Sequence, residues 1–189
     1  MISLILGPMY AGKSTELTKR IRRAKQRGYA PLVVKHVWDT RYSEDGRIVT
    51  HDKEGQYDAL GVKSIEDVRE AMVSSPGVPN PIGGNRLQWL FVDEAQFITG
   101  DWATFCMEAA SAGWNITLAA LNADWKQKVY PEIAAIVADE IKTLKAVCKK
   151  CQGDAVWSKC LFPYQLQQGI LIGGAESWEA RCRRCFDVN

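Results

Sequence analysis

Four short apolar runs in the first 121 residues predict buried strands. The runs cover residues 2–6, 30–37, 87–92 and 116–121. Between the first two, Leu17, Ile21 and Ala24 recur at helical spacing, and Gly28 marks the end of that helix. The alternation of strand and helix predicts an α/β protein with a mainly parallel sheet, whose first two strands form a right-handed crossover unit.

Two later positions have the pattern of a helix start. Ser64, followed by Asp67 three residues on, predicts a capping box, and Asp101 precedes another helical segment. The polar residues 38–57 predict a long loop after the second strand. Such loops hold substrate groups in many α/β enzymes, although a plain surface connection has the same composition.

A phosphate-binding loop directly follows the first strand, because the sequence matches G-x-x-x-x-G-K-[ST] at every fixed position. Its backbone N–H groups and the start of the next helix would hold a polyphosphate. Lys13 would contact the β and γ oxygens, and Ser14 would bind Mg²⁺. An ordinary glycine turn is the alternative. The predicted ATP-binding segment comprises Gly7, Pro8, Met9, Tyr10, Ala11, Gly12, Lys13, Ser14 and Thr15.

Two acidic residues end the third apolar run. Asp93 has the position of a Walker B aspartate, which lies close to the magnesium ion of a phosphate-loop enzyme. Glu94 follows it and is placed to accept a proton from the group that attacks the γ-phosphate. A solvent-exposed acid at a strand end is the alternative for Glu94.

Two C-x-x-C pairs near the end of the sequence predict a structural zinc site with four thiolate ligands. Thirty residues, 152–181, separate the pairs and include aromatic and glycine-rich stretches that suit a hairpin over a flat ligand, or plain zinc-domain packing. Cys106 lies in an apolar helical context, which predicts a buried thiol without reactivity. The predicted zinc ligands are Cys148, Cys151, Cys182 and Cys185.

The charge balance gives no global reason to expect a polyanion as partner, because 24 basic and 22 acidic residues leave a net charge of +2. The first helix is locally basic, which fits either a solvated face or a phosphate-backbone contact. No apolar run is long enough to span a bilayer, and the sequence starts directly on its first strand. We therefore expect a cytoplasmic protein without a membrane or a stable nucleic-acid partner.

In this order, the motifs resemble those of the type II thymidine kinases, the cytosolic and viral class. The resemblance rests on residues 7–17, 39–42, 50–52, 93–97, 119–121 and 172–175 together with the two cysteine pairs. It implies a phosphate-loop core over residues 1–143 and a zinc-binding lasso domain over 144–189. It further implies transfer of the ATP γ-phosphoryl group, with Mg²⁺, to the 5′-hydroxyl of thymidine. A homotetramer and feedback inhibition by dTTP belong to the same expectation.

The resemblance also assigns roles to single residues. Glu94 matches the general base, and the segment 93–96 matches a nucleotide-contact stretch. Further nucleotide contacts are expected at Asp39, Thr40, Arg41, Asp93 and Gln96. Contacts to the nucleoside are expected at Met9, Phe97, Leu121, Trp125, Ser158, Gly169, Ile170, Leu171, Ile172, Gly173 and Trp178.

Four positions depart from the family pattern and bear on substrate preference. Trp125 stands where phenylalanine is usual, Trp178 where tyrosine is usual, Ser158 where threonine is usual and Asn122 where aspartate is common. Two alternatives stay open at this point. One is an ATP-hydrolysing nucleic-acid binder with a zinc ribbon, and the other is a deoxynucleoside kinase with a different base preference.

Overall fold

A computed structural model describes residues 1–37, 47–49, 56–75, 78–79, 86–162 and 176–187. The helices are α1 (Lys13–Gln26), α2 (Ile65–Val73), α3 (Trp102–Ser111) and α4 (Pro131–Ala134). The strands are β1 (Ile2–Gly7), β2 (Leu32–His36), β3 (Arg47–Val49), β4 (Gln56–Asp58), β5 (Leu60–Val62), β6 (Val78–Pro79), β7 (Arg86–Asp93), β8 (Trp114–Leu121), β9 (Glu140–Thr143), β10 (Ala146–Val147), β11 (Asp154–Ala155), β12 (Trp157–Cys160) and β13 (Trp178–Arg181).

The central sheet is mainly parallel, as the sequence predicts. Six strands pair in parallel in the order β5-β2-β7-β8-β1-β9, and β6 pairs antiparallel with the start of β7. Although β1 and β2 are consecutive in the chain, β8 and β7 lie between them. The carboxyl ends of β1, β7 and β8 therefore meet at one edge, which is where ligands bind in such sheets.

Helices cover both faces of the sheet because residues along a strand alternate between the faces. Ile5 packs with Leu17 and Ile21 of α1, in a cluster that also contains Phe91 and Ala119. Leu4, the next residue along β1, belongs to the other cluster, which α2 and α3 cover. The sheet is thus buried on both sides, which explains the continuous apolar runs in the sequence.

The predicted helix boundaries are confirmed. Ser64 and Asp67 form a complete capping box at the start of α2, and Asp101 accepts a hydrogen bond from the Thr104 backbone N–H at 3.0 Å. Gly28 has a φ of 83° just after α1, a conformation that glycine adopts without steric cost. The starts of α2 and α3 are therefore capped by side chains that accept hydrogen bonds from backbone N–H groups, and α1 ends just before a glycine.

Several elements differ from the sequence predictions. The segment 38–57 was expected to be a loop, but the antiparallel pair β3–β4 lies partly within it. The edge strand β9 was not predicted, because Glu140–Thr143 contains only one large apolar side chain. In the part of the chain that the structure describes, no helix has the length and apolar character that a bilayer crossing requires.

The segment after β9 forms two antiparallel pairs, β10–β11 and β12–β13. Their small core consists of Ala146, Cys148, Ala155 and Ala180. A core of this size buries little apolar area, so these strands need another source of stability. The cysteine pairs lie at their ends.

Candidate active site and metal centre

The phosphate loop begins at the last residue of β1 and ends at the first turn of α1. Gly12, which precedes α1, has a φ of 78°, and Tyr10 also has a positive φ, of 65°. Lys13 is buried, and its Nζ donates to the Pro8 carbonyl oxygen at 2.9 Å. The ammonium group thus lies over the loop whose N–H groups would bind phosphate.

The tight approach of the loop to the following strands requires glycine at position 7. A Cβ at Gly7 would lie 2.8 Å from the Leu144 carbonyl oxygen and 3.0 Å from the Ala11 Cβ. The Leu144 N–H also donates to Leu6 O at 2.7 Å, which fixes this segment against β1. The first fixed glycine of the motif therefore serves packing as well as phosphate access.

Asp93 and Glu94 leave the end of β7 in different environments. Asp93 is buried, and its Oδ1 accepts a hydrogen bond from the Glu94 N–H at 3.1 Å. Glu94 is half-buried and has φ 51° and ψ 43°, which is left-handed backbone. Since non-glycine residues rarely adopt this conformation, the turn at Glu94 is a special feature of this site.

The phosphate loop and the two acids flank the end of one strand. β8 lies between β1 and β7, so their ends are separated by about 10 Å, twice the usual strand spacing of about 4.8 Å. The register places Gly7 beside Leu121. The space at the carboxyl end of β8, next to Leu121, thus lies between the phosphate loop with Lys13 on one side and the carboxylates of Asp93 and Glu94 on the other.

Gln96 connects Glu94 to β8. The Gln96 Nε2 donates to Glu94 Oε2 at 2.6 Å, and its Oε1 accepts from the Leu121 N–H at 3.0 Å. Trp102 stabilises the same turn through its indole N–H, which donates to the carbonyls of Ala95 and Ile98, both at 3.2 Å. Trp102 belongs to none of the motifs, and its role depends on packing, so no sequence pattern predicts it.

Two aromatic side chains expected around the base lie near this edge. Phe97 packs its ring at 61° to that of His36, with 6.2 Å between centroids. Trp125 is half-buried, and the Lys126 ammonium lies 4.8 Å from its ring centroid. His36, at the end of β2, belongs to no sequence motif, so only the structure places it beside Phe97.

The cysteine-bearing strands touch the phosphate loop directly. The Met9 N–H donates to Ser158 Oγ at 2.9 Å, and Ala11 packs against the small core of these strands. Asn122, just after β8, donates from Nδ2 to the Val156 carbonyl at 2.9 Å. Ser158 therefore contacts the phosphate loop, and Asn122 links the end of β8 to the same strands.

The four predicted zinc ligands come together. Their sulfur atoms all lie within 4.8 Å of one another, and Cys151 Sγ is 3.7 Å from Cys182 Sγ. Tetrahedral zinc with Zn–S bonds of about 2.3 Å requires sulfur atoms about 3.8 Å apart. The donor set therefore fits a structural zinc ion.

The protein environment already favours a thiolate at one of these ligands. Burial raises the pKa of the Cys148 thiol, but N–H groups of Cys182, Cys151 and Lys150 outweigh this effect and bring the pKa to about 6. Cys106, outside the cluster, behaves as predicted for a buried thiol, because burial raises its pKa to about 12. Among the described residues, the group of side chains close enough to share one metal ion is that of the four clustered cysteines.

Two groups of predicted site residues lie outside the described residues. They are Asp39, Thr40 and Arg41, and the lasso segment Gly169, Ile170, Leu171, Ile172 and Gly173. Trp178 is described, and it lies half-buried in β13, paired with Cys160.

Comparison with known proteins agrees with this arrangement. The family model described as "Thymidine kinase" matches residues 1–186. The cytosolic thymidine kinase of Homo sapiens is 34% identical over 187 residues, which are 98% of this chain and 72% of the human protein. The thymidine kinase of Fowlpox virus is 32% identical over 192 residues, covering all of this chain and 97% of the viral protein. With that extent of similarity on top of the shared motifs, this chain belongs to the thymidine kinase family.

Proposed function

We propose that this protein is a thymidine kinase, which transfers the γ-phosphoryl group of ATP to the 5′-hydroxyl of thymidine to give dTMP. The observation that carries the proposal is the placement of the Glu94 carboxylate and the Lys13 loop on either side of the end of β8. A phosphoryl donor on one side and a base on the other is the arrangement that transfer to a hydroxyl requires.

The donor side of the site is assigned to the phosphate loop. Its N–H groups hold the triphosphate, and Lys13 neutralises charge that develops on the transferred group. Ser14 and the buried Asp93 would hold Mg²⁺, which supplies further neutralisation of the phosphate oxygens when bound. Glu94 accepts the proton of the 5′-hydroxyl, since a sugar hydroxyl is a weak nucleophile until a base takes its proton.

The acceptor side is assigned to apolar and aromatic groups around Leu121. Met9 and Leu121 would contact the 5-methyl group of thymine, and Phe97 and Trp125 would line the ring. The backbone of 169–173 would pair with the O2, N3–H and O4 edge of the base. Cytosine presents a donor where thymine presents O4, so its groups would stay unpaired. Thymidine and deoxyuridine are therefore the expected substrates.

The family relationship supports three further properties. The zinc ion is structural, the assembly is a homotetramer, and dTTP inhibits by feedback. A cytoplasmic location agrees with the cytosolic relatives from Gallus gallus and Homo sapiens. Analytical ultracentrifugation of the purified chain tests the assembly, and a dTTP titration of the initial rate tests the inhibition.

A coupled assay with ATP, Mg²⁺ and a panel of nucleosides tests the activity itself. We expect turnover of thymidine and deoxyuridine, with deoxycytidine poorer by roughly a hundredfold or more in kcat/KM, because two mismatched pairs each cost about 1–3 kcal/mol. Deoxycytidine turnover within a few-fold of thymidine would instead indicate another base preference. ATP hydrolysis that depends on single-stranded DNA, without nucleoside phosphorylation, would support the nucleic-acid-binding alternative.

A further inference from the structure

The carboxamide of Gln96 bridges two parts of the site that are 25 residues apart in the sequence. Its Nε2 lies 2.6 Å from Glu94 Oε2, and its Oε1 lies 3.0 Å from the Leu121 nitrogen. Leu121 is buried, whereas Glu94 and Gln96 are half-buried. The bridge thus runs from the interior of the sheet to the rim of the site.

The orientation of this amide follows from its partners. A backbone N–H can only donate, so the atom that faces Leu121 must be the carbonyl oxygen of Gln96. The NH₂ group then faces the carboxylate of Glu94, which can accept. A hydrogen bond to an ionised acceptor is shorter and stronger than a neutral one, which agrees with the 2.6 Å distance.

The bridge acts on a side chain that begins from a strained backbone. Glu94 has a φ of 51°, and the turn after it is tied to Trp102 through the Ala95 and Ile98 carbonyls. This turn sets the direction in which the Glu94 side chain leaves the backbone. Its remaining torsion angles are restricted by the hydrogen bond from Gln96, which reduces the number of orientations of the carboxylate.

We propose that Gln96 is a positioning residue, which holds the Glu94 carboxylate in the orientation for proton removal and links it to the β8 end on which the nucleoside would bind. The inference rests on the proposed function and departs from the nucleotide-contact role that the motif suggested for Gln96. A nucleotide contact would affect ATP binding. A positioning residue affects the chemical step and its pH dependence.

Two substitutions separate these roles. Gln96→Leu has similar volume but neither hydrogen bond, so kcat should fall by about 10- to 100-fold, at the low end of the loss expected for a misplaced base. The KM for ATP should stay within about twofold, since no ATP contact is lost. Gln26→Leu at the exposed end of α1 is the matched control and should change neither constant.

Gln96→Glu provides the second variant. It keeps an acceptor for the Leu121 N–H but replaces the donor near Glu94 with a second carboxylate. Since like charges disfavour ionisation, the acid limb of the kcat profile should move to higher pH by about one unit. Asp93 and Tyr130 also lie near Glu94. Burial raises the pKa of Tyr130, and the charges of Asp124 and Glu94 add to this effect. These neighbours are unchanged in the variant, and Gln26→Glu should leave the profile unchanged.

A carboxyl ¹³C titration of Glu94, with the signal assigned by its loss in Glu94→Gln, supplies a readout that needs no activity. Its midpoint should rise by about one unit in Gln96→Glu. A raised KM for ATP with unchanged kcat in Gln96→Leu, or an unchanged Glu94 titration in Gln96→Glu, would overturn the positioning role. A different result would be a raised Glu94 midpoint in Gln96→Glu together with an unmodified protein that phosphorylates no nucleoside. The proposed function would then be wrong, and Gln96 would have no role in that reaction.

Discussion

Left-handed backbone occurs at three residues of the candidate site, and only one of them is glycine. Tyr10, Gly12 and Glu94 have φ angles of 65°, 78° and 51°. A non-glycine residue in this conformation costs roughly 1–2 kcal/mol, so Tyr10 and Glu94 persist there because surrounding contacts hold them. For Glu94 those contacts include Gln96 and the turn anchored by Trp102.

Lys13→Ala should reduce phosphoryl transfer by about 10²- to 10³-fold or more, because it removes the cation assigned to the transferred phosphate. Its Nζ donates to the Pro8 carbonyl of the same loop, and we expect the fold to change little. Steady-state assays and thermal unfolding check both statements. Lys19→Ala, exposed on α1, is the control. Near-native turnover of Lys13→Ala would exclude this loop as the ATP site.

Glu94→Gln should slow the chemical step by roughly 10²- to 10⁴-fold, the loss typical of a missing general base. The substitution keeps the shape of the side chain and removes its basicity. Single-turnover rates at saturating thymidine measure the step directly, with Glu132→Gln as an exposed control. An unchanged single-turnover rate with unchanged nucleoside affinity would contradict the assignment.

At the scale of elements, the phosphate loop is packed between the sheet and the segment after β9. Gly7→Ala should destabilise the protein by about 1–3 kcal/mol, because the new Cβ would lie 2.8 Å from the Leu144 backbone oxygen. Urea unfolding measures the loss. Gly61→Ala is the control, since its Cβ would lie closest to a side-chain atom, the Val37 Cγ1 at 3.1 Å, and 3.9 Å from the Val37 Cα. Equal losses in the two variants would argue against a special fit at Gly7.

The cysteine-bearing strands contact the phosphate loop through Ser158 and Ala11. Cys182→Ser should therefore abolish binding of one zinc per chain and weaken thymidine binding most, with a smaller loss for ATP through the Met9 contact. Elemental analysis and calorimetry with each ligand test this. Cys160→Ser, outside the cluster, should retain the zinc. Protein purified without chelators but lacking zinc would contradict the site.

At the scale of the whole molecule, ion pairs fasten α1 to the edge strand β9. Arg20 donates to both oxygens of Glu140 at 2.7 Å, and Glu16 contacts Arg20 and Lys142. Arg20, a basic residue of α1, is thus paired with acidic residues of the same chain. This pairing reduces the positive charge that α1 could offer to a polyanion. This contact favours a structural role over a phosphate-backbone contact for that part of the helix.

The hydrogen bond from Arg20 lowers the pKa of Glu140. A carboxyl group with a lowered pKa stabilises the folded state above its unfolded pKa, about 4.3, and loses that contribution as the pH falls through the folded value. Glu140→Gln should cost about 0.5 kcal/mol at pH 7, since the pair is partly exposed, and the difference should vanish in strong acid. Urea unfolding at both pH values checks this, with Glu70→Gln, at an exposed position of α2, as the control variant.

Much of the fold could be predicted from local sequence. The strands at 2–6 and 116–121 and the starts of α2 and α3 were predicted because apolar runs and caps act over a few residues. The edge strand β9 and the pair β3–β4 were not. Both are short, and pairing with another strand, not their own composition, makes them strands.

The candidate chemistry of the site could be predicted from the sequence, because the phosphate loop, the two acids and the four cysteines are motifs whose spacing indicates the ligands they would bind. Their arrangement was decided by the tertiary structure. The strand order places β8 between β1 and β7, so the loop and the acids face each other across Leu121. The bridge through Gln96 and the contact of Ser158 with Met9 join residues far apart in the chain. No local pattern encodes such contacts, since they depend on how the sheet packs.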